Sequence, residues 1–276
     1  MVGAGVVGLL LMPFVYEKPI IPSDIVVDTQ PLPAPPKPTK QPVKVETYVA
    51  KHQVQLPDFA AIKDIKTKKR QFFAFLSPHV VAENNRLIAL HNWIITKSNQ
   101  VTDGESLDLN ELAKLQKLFK AYRIKHQSMS LDAAMNELLK CVDGLPVSLV
   151  LMQAANESAW GTSRFARLGL NFFGKWCYRQ GCGVVPNGRP EGKKYEVEAY
   201  LTVQDSVRSY FKNINTNHAY RTLREIRTQL RENDLPLDAE ILATGLVAYS
   251  QRGSHYVEEI TKMISHNERY ITANTD

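Results

Sequence analysis

The sequence has little cysteine, no clustered histidine and no apolar run long enough to cross a membrane comfortably. Each shortage excludes something. Only three cysteines occur, Cys141, Cys177 and Cys182. No second pair and no His-x3-5-His motif stands near Cys177 and Cys182, and a zinc site needs about four ligands. The seven histidines are dispersed, with no His-Glu-x-x-His pattern, so neither a metal nor another cofactor is expected. Cys177 and Cys182 flank a short Gly-containing segment. In an oxidising compartment they suit a small disulfide-closed loop, with two free thiols as the alternative. Cys141 lies in a helical pattern and reads as a buried hydrophobe. Basic residues are scattered along a chain of net charge +6, and no nucleic-acid recognition motif accompanies them. That balance suits an anionic polymer or membrane surface. No internal repeat is present.

What is there falls into three parts. Residues 1–28 begin with an apolar stretch, Val2 to Val15, broken by Pro13. It is short for a span and lacks the positive start and cleavage site of a standard signal, so it reads as an export or anchor-like, membrane-associated segment. Residues 29–57 carry Gln30-Pro-Leu-Pro-Ala-Pro-Pro-Lys-Pro38, an extended linker that can form neither helix nor sheet. Residues 58–276 form the body, where the spacing predicts mostly helix. The predicted segments are Ala60–Leu76, Pro78–Thr96, Leu109–Tyr122, Leu131–Val142, Ser206–Ile214, His218–Glu232, Asp238–Tyr249 and His255–Ile264. Between them, Gly169 to Gly192 is rich in turns. Val184-Val185 and Tyr195–Val203 alternate around Asn187-Gly188 as a β-hairpin does.

The segment Leu145 to Gly161 carries the chemistry. Pro146 suits a first helical turn, and Leu145 to Ala155 is apolar on almost every face, so this helix belongs in the middle of the domain. It ends in Glu157. The helix dipole and apolar neighbours both disfavour the anion there and favour the protonated acid. Such a group can protonate a leaving group; the bland alternative is a Glu satisfied by a backbone or Arg partner.

Ala154-Ala-Asn-Glu157-Ser-Ala-Trp160-Gly161, Asn171-Phe-Phe-Gly174 and Tyr200-Leu-Thr-Val-Gln-Asp-Ser206-Val-Arg-Ser-Tyr210 together resemble the glucosaminidase domain family. That family includes flagellar peptidoglycan hydrolases and autolysin N-acetylglucosaminidases. The resemblance covers roughly residues 143–256. It implies a mainly α, lysozyme-like α+β domain with one β-hairpin flanking a saccharide cleft. It further implies hydrolysis of the β-1,4 bond of N-acetylglucosamine in peptidoglycan, in the periplasm or cell envelope, with Glu157 as general acid.

The family's second carboxylate falls near Val184, where this chain has none. Glu191, Glu196, Glu198 and Asp205 lie close by in sequence; of these, Glu196 and Glu198 are carried as catalytic candidates, and Asp205 reads as a helix cap. A two-carboxylate mechanism needs a separation of roughly 5 Å for retention or 6.5–9.5 Å for inversion. The substrate's own acetamide can replace the second group, oriented by a tyrosine: Tyr249 first, then Tyr256, then Tyr220. Asn171, Phe173 and Trp176 are further substrate-binding candidates, whereas Trp160 reads as structural. Two other functions stay open. One is peptidoglycan binding without cleavage, motivated by Val184. The other is a scaffold that meets an envelope protein through the proline segment.

Overall fold

A computed structural model describes residues 48–247 and 253–271. The expected export-like segment, residues 29–47 of the proline-rich linker, and Tyr249 lie outside the described residues. Nine helices and three short strands occur in chain order among them. The helices are α1 Ile65–Thr102, α2 Leu109–Tyr122, α3 Leu131–Cys141, α4 Val147–Ser158 and α5 Arg164–Gly169, then α6 Val203–Thr216, α7 Arg221–Glu232, α8 Ala239–Ala243 and α9 Ser254–Ile271. The strands are β1 Trp176–Cys177, β2 Gly183–Val184 and β3 Glu196–Glu198. The fold is mainly α, with a small antiparallel sheet. Among the described residues no helix is long and apolar enough to cross a membrane.

Three expectations about elements need correction. Pro78 does not divide two helices; it sits inside α1. A proline there removes one donor and costs about 3 kcal/mol. Phe72, Phe73 and Leu76 before it and Val80, Leu87 and Ile94 after it are all buried in one core, and that shared burial outweighs the lost bond. The hairpin is β2 with β3, but β1 adds to its other side, giving the order β1-β3-β2. Trp176 pairs with Val197, and Val184 pairs with Val197 from the opposite edge. β3 stops at Glu198 because α6 starts at Val203, before the expected Ser206, and its cap is Thr202 rather than Asp205: the Thr202 hydroxyl accepts from the Asp205 N–H at 3.1 Å.

α4 runs through the core, packed against α1, α8 and α9. Leu149 to Ala155 are buried without interruption. Gln153 is the one polar side chain in that stretch, and the start of the helix is fixed from outside. The Asn84 side chain of α1 exchanges both hydrogen bonds with the Leu145 backbone, at 2.8 and 2.9 Å. Gly144 permits this approach, since a β-carbon there would lie 2.7 Å from Asn84 Oδ1. From α7, Arg227 donates to the carbonyls of Asp143 and Gly144, and Arg231 forms a bidentate pair with the Asp143 carboxylate at 2.9 Å. From α6, Asn215 donates to the Asp143 carbonyl at 3.1 Å.

Burial pushes the Asp143 carboxyl up, but hydrogen bonds from Arg231 and the charges of Arg227 and Arg231 overcome it and hold the group below the usual carboxylate range. Its contribution to stability is therefore complete above that range and is lost as pH falls through the lowered value. Asp143→Asn leaves the buried Arg227 guanidinium without a counter-charge, at an expected cost of about 3–5 kcal/mol. Urea denaturation at neutral pH measures it, and a loss under 1 kcal/mol would show that the pair does not anchor α4.

Candidate active site

Glu157 is the penultimate residue of α4 and is partly buried. The three residues after Ser158 close the helix. Ala159, Trp160 and Gly161 take φ values of 50°, 58° and 77°, all left-handed. The Trp160 N–H donates to the Ala155 carbonyl at 2.8 Å, and the Gly161 N–H donates to Ser158 Oγ at 2.9 Å. A β-carbon at Gly161 would lie 2.5 Å from the Phe59 ring, so only glycine fits the turn. The Trp160 ring packs on Phe72 and Phe73 at 5.8 and 5.5 Å between centroids. The Glu-Ser-x-Trp-Gly motif is thus a carboxylate joined to the device that reverses the chain behind it.

A line of hydrogen bonds ends on the carboxylate. Tyr256 of α9 donates to Glu157 Oε1 at 3.2 Å. Its hydroxyl oxygen accepts from Gln153 Nε2 at 3.0 Å, and Gln153 Oε1 accepts from the Tyr210 hydroxyl of α6 at 2.5 Å. Gln153 stands one turn before Glu157 on the same helix face. Phe173 stacks on Tyr210 with centroids 4.1 Å apart. On the other side, Glu157 Oε2 lies 3.5 Å from where a β-carbon on Gly174 would stand. Asn171 shapes that loop: it donates to the carbonyls of Lys175 and Glu198 and accepts from the N–H groups of Phe173 and Lys175. It is buried, with both ends of its amide engaged by backbone.

The sheet places the remaining acids. Glu196 is 2 % exposed, and its two oxygens accept from the Gly181 and Gly183 N–H groups at 2.9 and 2.7 Å. It ties down the loop that the Cys177–Cys182 disulfide closes. Glu198 is bridged by Lys175 at 3.3 Å and accepts from the Tyr200 hydroxyl at 2.9 Å. Burial pushes the Tyr200 hydroxyl far above its ordinary range, so it remains a donor. Val184, where the family's second carboxylate was expected, is fully buried and packs toward Gly169 at the end of α5. Trp176 is exposed at the sheet edge, its ring edge-on to Tyr195 at 5.1 Å. Tyr220 is buried in the turn between α6 and α7, beside the segment Thr244–Leu246.

The structure thus joins Glu157 with Tyr256, and Phe173 and Asn171 with the loop beside them. It sets Glu196, Trp176 and Tyr220 in other surroundings. Gln153, Tyr210 and Lys175 were not singled out from sequence. Gln153 left a signal as the one strongly polar side chain inside the apolar run, and Tyr210 as the last residue of the Tyr200–Tyr210 motif; Lys175 left none. Two cavities adjoin the region. One, about 1000 Å³, is bordered by Asn156, Ala159 and Trp160 together with α9. The other, about 710 Å³, lies between α1, α2, α6 and β3 and has Glu198 and Tyr200 in its wall. Glu157 itself lines neither. Its neighbour Asn156 borders the first; Gly174 faces its Oε2, and the next residue, Lys175, contacts Glu198 in the wall of the second.

Glu196→Ala leaves two loop N–H groups without their acceptor. A stability loss of about 1–3 kcal/mol is expected, with faster proteolysis between residues 178 and 182; unchanged thermal unfolding would remove Glu196 from the loop's support.

The sequence profile described as mannosyl-glycoprotein endo-beta-N-acetylglucosaminidase, the glucosaminidase family, matches residues 132–269. Protein bax of Escherichia coli (strain K12) is 33 % identical over 218 residues, covering 79 % of this chain and 76 % of that protein. No solved structure matches. With the helix-end carboxylate, its Trp-Gly closure and the adjoining small sheet in place, these matches make the chain a member of the glucosaminidase family.

Proposed function

We propose that the protein hydrolyses the β-1,4 bond of N-acetylglucosamine in peptidoglycan, with Glu157 as general acid. The observation that supports this most is the carboxyl at the end of a buried helix, oriented through Oε1 by the Tyr256 hydroxyl. Family membership supplies the reaction class. The single disulfide and the basic net charge support work on an anionic polymer in the periplasm or cell envelope. In this proposal the export-like segment and the proline linker tether the catalytic domain there.

Glu157 gives its proton to the glycosidic oxygen as the C1–O bond breaks, and the new sugar hydroxyl leaves. The acetamido oxygen of the same N-acetylglucosamine bonds to C1 and forms a cyclic oxazolinium ion. Water then attacks C1 while the Glu157 carboxylate takes its proton, which restores the acid and the acetamide. Three placements favour this route over a second carboxylate. Val184 is buried, Glu196 is bound to two loop amides, and Glu198 is bridged to Lys175. Tyr249 is proposed to orient the acetamide, as the family's late tyrosine pattern implies.

A second reading is a protein that holds glycan strands without cutting them, and the buried Val184 favours it. Digestion of sacculi decides between the two. The wild type is expected to release new reducing ends, and Glu157→Gln is expected to lower that rate by about 10²–10⁴-fold. Tight sacculus binding with no new ends from the wild type would establish the second reading. Proton NMR of the first product formed should show the β anomer, the retained configuration. An α product would remove the acetamide route and return Glu198 to consideration.

A further inference from the structure

The 710 Å³ cavity carries a charge pattern that the proposed reaction does not use. Three carboxylates line it, and each is engaged. Glu83, buried on α1, accepts two hydrogen bonds from Arg86 at 2.5 and 2.9 Å and lies 3.5 Å from Arg208. Glu198 is held by Lys175 and Tyr200. Asp205 accepts from the Thr202 hydroxyl at 2.7 Å. Lys212 of α6 differs. Among the described residues its ammonium has no acidic partner; it lies over the Tyr122 ring at 3.6 Å and is partly buried. Burial, with the charges of Arg123 and Arg86, pulls its titration down to about 8. Removing an ammonium from water without a counter-charge is costly, and arginines on two sides add repulsion. A bound anion relieves both.

Lys175 links the surroundings of the acid to the cavity wall. Gly174 faces Glu157 Oε2, and the next residue, Lys175, reaches Ser209 at 2.5 Å and Glu198 at 3.3 Å on the cavity wall. Lys212 lines the same cavity as the Glu198 and Ser209 that Lys175 reaches, so a strand running from Glu157 past Lys175 would bring its side groups to that cavity. A neutral polymer of N-acetylglucosamine has no acid to place there. Peptidoglycan has two kinds: the stem-peptide carboxylates where peptide is amide-linked to the lactyl group of alternate sugars, and the free lactyl carboxylate where that peptide has been removed.

Resting on the peptidoglycan reading above, we propose that this cavity is a carboxylate-binding subsite, with Lys212 inside it and Arg208 at its rim. It makes the protein select anionic strands over neutral strands of the same backbone. Specificity here comes from the two cations, while the helix-end acid supplies the chemistry.

The test is affinity measured by calorimetry on full-length protein carrying Glu157→Gln, so that nothing is cut and binding is read apart from catalysis. Three ligands of equal sugar number are compared: peptide-bearing strands, strands stripped of peptide, and chitin oligomers. Peptide-bearing strands are expected to bind about tenfold more tightly than chitin, and adding Lys212→Met should abolish that advantage. Arg208→Gln, at a side chain 52 % exposed, should reduce it; Arg86 still holds the buried Glu83, and an unchanged thermal unfolding curve shows that the fold is kept. If stripped strands also show the advantage, the site accepts the freed lactyl carboxylate as well as the stem-peptide acid; if only peptide-bearing strands show it, the stem-peptide carboxylate is the ligand. Equal affinity for all three ligands, or an advantage that survives both substitutions, overturns the subsite. An inactive wild type whose Glu157→Gln form still prefers anionic strands would defeat the hydrolase reading and leave the subsite standing.

Discussion

A carboxyl group at the end of a buried helix needs polar partners, and this requirement organises the molecule. α4 is apolar along its middle, so its polar fixings are concentrated at its two ends. At the start, Asp143, Gly144 and Leu145 are held by side chains from α1, α6 and α7. At the finish, Gln153 and Glu157 are joined to Tyr256 and Tyr210. Removing one partner of such a network leaves another group buried and unsatisfied, which costs more than the bond itself gained. Position and chemistry are therefore one problem here: the bonds that place the helix also place the acid.

Much of this was legible in the sequence, for local reasons. The apolar run before Glu157, the turn-rich stretch from Gly169 and the capped helices all stem from neighbours within a few residues. The long-range partners were not legible. Tyr256 lies 99 residues from Glu157 and Arg231 lies 88 from Asp143, and helical periodicity carries no information about which distant side chains meet. Pro78 misled for a related reason: its local cost was read correctly, but the common core on both sides of it was invisible. Gln153 was overlooked because the run around it reads as core, although a lone amide in such a run must have a partner.

The sheet shows how similar residues divide into different roles. Glu196 and Glu198 are two apart on one strand and look alike in sequence. The fold gives Glu196 a pair of loop amides inside a disulfide-closed turn, and gives Glu198 a lysine at the edge of a cavity. Val184 packs toward α5 where a second carboxylate would be expected. In the proposed account one protein carboxyl handles the proton, the substrate contributes the nucleophile, and the cavity beyond Lys175 reads the charge of the strand.

The central claim is that Glu157 directs water to the anomeric carbon of N-acetylglucosamine. Digesting purified sacculi in heavy-oxygen water and analysing the fragments by mass spectrometry tests it most directly. The account predicts one heavy oxygen at the new reducing end of each fragment, always on N-acetylglucosamine. Label on N-acetylmuramic acid, or fragments that carry none, would contradict it.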